Sequence, residues 1–207
     1  MSFAIGIYDL FTYALPGALQ LSFLVYVLVR LKLVEFSALT SLPSVVLVVA
    51  VVVVSFVLGH ICNPISLQLE RLIPGRRRNF GDAQRNLGED VPAARGRAFL
   101  KADQRILRSA IELHDRDAAA EIGRFQATGL MLRNLVLPFT SGLLAAIVEV
   151  CTGPRRLLAV YCVVLFVVGV LAAVREGRKQ THWERMRTLE VAFWVPNIDD
   201  KLAEAEE

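Results

Sequence analysis

Cysteine is scarce: 207 residues carry only Cys62, Cys151 and Cys162, each within or at the end of an apolar segment. There a thiol packs as a small hydrophobe, and the three spacings match neither a disulfide framework nor a metal-ligand set. A Gly-rich phosphate loop and a nucleophile with its base are also missing. These absences predict no catalytic set, no metal and no cofactor, and a chain that is not an enzyme. Residues 1–10 lack Lys and Arg, and no small-residue cleavage pattern follows. A removable signal peptide is therefore not expected, and the first apolar stretch is expected to stay in the mature chain. Charge is missing over long runs too: residues 45–57 hold none.

What is present is a pairing that a soluble domain rarely combines, 55% hydrophobic and 21% charged residues. The two populations must be segregated along the chain. Apolar stretches of about 18 residues or more read as membrane spans, and four appear, at about 8–29, 42–61, 135–151 and 157–174. The second is dominated by valine, which disfavours helix in water. In lipid every backbone polar group must be satisfied within the segment, which enforces one. The predicted fold class is all-α: a four-helix transmembrane protein with a helical insertion between spans two and three, expected to be oligomeric. Its parts are a transmembrane hairpin over 1–62, a helical domain over 63–134, a second hairpin over 135–174 and a tail over 175–207.

Orientation follows from the basic residues, which stay on the cytoplasmic side during insertion. Thirteen of the 23 Lys and Arg fall in residues 63–133 and six in the tail from Arg175, against four in the two short connections, Arg30, Lys32, Arg155 and Arg156. Both termini and the insertion are thus predicted cytoplasmic, and a bacterial inner membrane is the expected location.

Within the insertion, residues 64–73 read as a continuation of the second span, stopped by Pro74-Gly75. From Ala93 onward Leu100, Leu107, Ile111, Ala118, Ile122 and Phe125 mark one apolar stripe. With no breaker stronger than Gly123 or Gly129, this helix is expected to continue into the third span, projecting as a stalk of about 45 Å. The stripe needs cover, from the helix after the second span, from Trp183, Met186, Leu189 and Phe193 of the tail, or from sister subunits. Pro16-Gly17 inside the first span predicts a kink or hinge.

Three features bear on function. Arg76, Arg77, Arg78, Arg85, Arg95 and Arg97 are planar forks suited to phosphate, which makes an oligonucleotide or cyclic nucleotide a reasonable ligand. The competing reading is topogenic, with arginines beside spans contacting anionic lipid. Glu149 is an ionisable residue inside the third span; repeated in a symmetric oligomer, a tetramer being one form, it would make an acidic pore ring. The alternative pairs it with Arg155 or Arg156 near the interface. Arg108 and His114 match a loose Arg-x4-6-His spacing associated with a class of ribonucleases, although six helical positions set the two side chains about 120° apart.

The opening Asp9-Leu10-Phe11-Thr12-Tyr13-Ala14-Leu15-Pro16-Gly17 resembles Asp-x-Phe-x-Tyr-x-x-Pro-Gly, a recurrent start in small bacterial membrane proteins. With the four-span layout and arginine-rich insertion, the chain resembles membrane effectors of bacterial antiviral defence systems, the Hailong channel effectors among them. The resemblance implies an oligomeric channel, gated from the cytoplasm by an oligonucleotide that a partner nucleotidyltransferase makes. A membrane-anchored ribonuclease using Arg108 and His114, or a non-conducting scaffold for a soluble partner, are the other readings.

Overall fold

The first two long apolar stretches become α1, Ser2–Arg30, and α2, Ser44–Leu72. The structure is a computed structural model and describes residues 2–34, 43–74, 79–154 and 156–204. Gly17 lies against the Ser55 carbonyl and Gly59 against Tyr13, so the two helices run antiparallel. A Cβ on Gly17 would fall 1.7 Å from the Ser55 oxygen, and one on Gly59 would fall 2.0 Å from the Tyr13 oxygen. Only glycine permits this approach. The Ser55-x3-Gly59 pair on α2 is the small-residue spacing that brings helix backbones together in lipid. Beside it the Tyr13 ring stacks on His60 at 4.0 Å and meets Phe56 edge-on.

The third and fourth spans are α6, Val136–Thr152, and α7, Arg156–Trp194. Gly142 of α6 leaves room for the Phe23 and Phe166 rings, which meet edge to face with centroids 5.5 Å apart. Four helices are long and apolar enough to cross a membrane among the described residues. Little of their surface is covered within the chain, as a multi-pass membrane protein requires: at most 28% of the most apolar window of any span is buried.

Two prolines explain a polar node in this unit. Proline has no amide hydrogen, so Pro16 in α1 and Pro138 in α6 each deprive the carbonyl four residues earlier of its helical partner. Those carbonyls belong to Thr12 and Asn134. The Asn134 side-chain amide donates to the Thr12 oxygen at 3.3 Å, and the Ser66 hydroxyl of α2 donates to the Asn134 oxygen at 3.3 Å. Ser66 Oγ in turn accepts the Leu137 amide at 3.2 Å. Thr12, Ser66 and Asn134 are all buried. The kink motif expected at Pro16 is thus one member of a three-helix junction.

A second unit comprises residues 75–129 and 178–207, the first comprising 1–74 and 130–177. It begins with α3, Phe80–Asp90, whose Asn79 and Asp82 form a capping box. Two short 3-10 turns, Pro92–Ala94 and Ala98–Leu100, lead to α4, Gln104–His114, capped by Asp103 on the Arg105 amide. Then α5, Arg116–Asn134, starts at Asp115, which accepts the amides of Asp117 and Ala118 at 3.0 Å. The helix expected to run unbroken from Ala93 therefore starts only at Gln104, after the two 3-10 turns, and breaks again at Asp115, whose short carboxylate satisfies the first free amides of a new helix. From Arg116 the continuity holds, through Leu135, to Thr152.

The apolar stripe of the insertion finds its cover within the chain. Leu107, Ile111 and Ile122 are buried with Leu189 and Ala192 of α7, Val195 just after it, and Phe99 from the second 3-10 turn. The last helix, α8, Ile198–Glu204, adds Ile198 and Leu202 to the same core. Met186 and Phe193 pack against its edge, as their spacing predicts, while Trp183 stays exposed.

Candidate functional site

The six arginines divide by what holds them. Arg97 is committed to the fold: its Nε donates to Asp199 Oδ2 at 2.7 Å, and its guanidinium lies 5.2 Å from the Phe99 ring centre and 5.3 Å from that of Phe193. Asp199 Oδ1 also accepts the Phe99 amide at 3.0 Å. Burial alone would raise the Asp199 carboxyl; the bonds from Arg97 and the Phe99 amide outweigh it and hold the pKa below its ordinary 3.8. The Arg95 Nε donates to the Gly88 carbonyl, although its side chain is largely exposed. Arg85 projects from α3 into solvent. Arg76, Arg77 and Arg78 lie outside the described residues.

The same unit holds a buried carboxylate for which the sequence offers little warning. Glu184 of α7 is 6% exposed, accepts the Gln104 side-chain amide at 2.8 Å and sits 3.6 Å from Arg108. Burial pushes its pKa above the ordinary 4.5, while Arg108, Arg185 and the Gln104 bond pull back. The available signal was helical spacing: Gln104 and Arg108 are one turn apart on the face of α4 that also carries buried Leu107 and Ile111. Nearby, Arg187 bridges Glu121 and Glu190, each at 3.2 Å.

No protein-family model, curated protein or solved structure matches this chain. Arg108 is occupied by Glu184, whereas His114 stands exposed in the last turn of α4, so the two are not brought to a common site. Among the described residues no group of three His, Cys, Asp or Glu is placed to hold a metal ion.

Glu149 lies near the end of α6, where its Oε2 accepts the Tyr26 hydroxyl at 3.2 Å and pairs with Arg30 Nε at 3.5 Å. Its ionic partner thus comes from the end of α1. With Gln20, Phe23, Leu24, Val27, Ser141, Leu144, Ala145 and Val148, these side chains line a cleft of about 370 Å³ between α1 and α6.

Proposed function

We propose that this chain is the subunit of a homo-oligomeric ion channel in the bacterial inner membrane, gated from the cytoplasm by an anionic nucleotide or oligonucleotide in antiphage defence. The observation that supports it is helix continuity. Arg156–Trp194 is one helix, and α5 passes through the single turn residue Leu135 into α6; each of these two paths belongs in part to the unit bearing the arginines and in part to the unit of the spans. A helix shared in this way can carry a change at one end to the other, because its backbone hydrogen bonds resist local bending.

Both termini and the arginine surface face the cytoplasm in this reading, and a partner nucleotidyltransferase supplies the ligand. Arg85 and Arg95, with Arg76, Arg77 and Arg78 beside them in sequence, contact its phosphates. Arg97 contributes indirectly, by holding the segment in place through Asp199. Glu149 lies near the outer end of α6, and in this reading an oligomer assembled through other faces of the helices places it at the external mouth of the ion path.

Purified protein in liposomes, assayed for ion flux with and without oligodeoxyadenylates or cyclic nucleotides, tests the proposal. The expected result is ligand-dependent flux that falls at least tenfold in an Arg85→Ala, Arg95→Ala double variant. A strictly monomeric particle, or no flux with any ligand, overturns it.

A further inference from the structure

The cleft between α1 and α6 has the dimensions and chemistry of a lipid site. Its α1 wall runs from Gln20 to Arg30, ten helical steps or about 15 Å, which is half of a ~30 Å hydrocarbon core. It is therefore one leaflet deep. Between those ends the walls are apolar, with Phe23, Leu24 and Val27 facing Leu144 and Val148. Its volume, about 370 Å³, falls within the ~300–1,000 Å³ range of small-ligand sites. The deep end carries two polar side chains, Gln20 and Ser141. The other carries Tyr26, Arg30 and Glu149, where both helices finish and the headgroup level begins.

That polar end identifies the headgroup. Arg30 is the last residue of α1; its Nε faces Glu149 as an ion pair, and its half-exposed guanidinium presents the fork that binds a phosphate through two parallel bonds. Glu149 stands beside it with a side chain 23% exposed, able to receive a cation. Together the pair is neutral. An anionic lipid meets attraction at Arg30 and repulsion at Glu149, whereas a zwitterion carries a phosphate for one and an ammonium for the other. A primary ammonium adds N–H donors to the Glu149 carboxylate that a quaternary ammonium lacks.

We propose that the α1–α6 cleft binds one phospholipid with a zwitterionic primary-amine headgroup, a phosphatidylethanolamine, with an acyl chain lying between Phe23, Val27 and Leu144. This rests on the membrane-spanning helices and not on channel activity.

The test is native mass spectrometry of the full-length, delipidated protein titrated with dioleoyl phosphatidylethanolamine, phosphatidylcholine or phosphatidylglycerol. One lipid per chain is expected, with phosphatidylethanolamine held about tenfold more tightly than the other two. Glu149→Gln should reduce that preference to near parity, Arg30→Gln should weaken all three, and Ala145→Phe, which fills the groove, should abolish stoichiometric binding. Equal retention of the three lipids, or a preference unchanged in Glu149→Gln, overturns the proposal. So does an intermolecular disulfide in native membranes between cysteines introduced at Leu24 and Leu144, since a second copy would then occupy the groove. A circular dichroism spectrum and elution volume like those of the parent protein are required of each variant, and Glu149→Asp, which keeps the charge, should restore the preference.

Discussion

Replacing Gly17 by alanine adds one methyl group where α1 and α2 cross. The new Cβ would lie 1.7 Å from the Ser55 oxygen and 2.7 Å from the Gly59 nitrogen, both backbone atoms. No side-chain rotation relieves that overlap. A close C···O contact needs about 3.3 Å, so the helices must part by about 1.6 Å along the line of contact. Overpacking of this kind costs ~1–3 kcal/mol, less the 0.5–1 kcal/mol or so that alanine recovers over glycine within a helix. A backbone overlap this close belongs in the upper part of that range, and a net loss of about 1–2.5 kcal/mol should lower the melting temperature by ~2–10 °C, taking roughly 2–4 °C per kcal/mol for a chain of this size. Gly123→Ala is the matched control, since its Cβ would meet nothing within 4 Å and should raise the melting temperature slightly. The assay is fluorescence-detected melting in a mild detergent. Because one separation accommodates both methyl groups, Gly17→Ala with Gly59→Ala should cost less than the sum of the two single changes. A Gly17→Ala protein that melts at or above the parent temperature refutes the close crossing.

Asn134→Leu removes the donor to the Thr12 carbonyl and should cost ~0.6–1.7 kcal/mol, the span measured for polar contacts between helices in lipid; the same melting assay checks it, and an unchanged midpoint counts against the node. Ile198 is fully buried, and Ile198→Ala should cost about 2–5 kcal/mol, seen as faster proteolysis between α3 and α4. The two carboxylates act in opposite senses with pH. Asp199, held below 3.8, contributes stability that is present above its unfolded value and lost as pH falls through its folded one, so Asp199→Asn should flatten the acid limb of the melting profile. Glu184, raised above 4.5, favours protonation in the folded state, so Glu184→Gln should raise the melting temperature at pH 8 by a margin that shrinks as pH approaches 4.5; a margin constant with pH would overturn that assignment.

The spans were legible because lipid demands uninterrupted apolar helix, and composition alone reports that demand: residues 44–61 carry no charge. The apolar stripe of Leu107, Ile111 and Ile122 was legible for the same reason, since burial imposes a period. Asp115 was harder to see. Its role depends on side-chain geometry at one position, and the apolar residues keep their spacing across the break. Ser66 and Asn134 were invisible because nothing local requires them; their bonds answer carbonyls that prolines strand on other helices. Of the arginine set, the sequence could not separate Arg97 from Arg85, because the partner of Arg97 lies 102 residues away in Asp199. The partner of Glu149, Arg30, is likewise supplied from a distant helix end.

The core containing Phe99 and Leu107 has a consequence for biogenesis. It is closed by Leu189, Ile198 and Leu202, so the two stretches that make it are separated in the chain by the third and fourth spans. During synthesis the first stretch emerges well before its complement, and its apolar residues wait until both spans have been made. Closing so long a loop adds only slowly to the entropic cost, but it delays the moment at which the core becomes protected. A chain ending within residues 156–180 leaves Phe99, Leu107 and Ile111 without the residues that cover them, so this core closes only after the last span has been made.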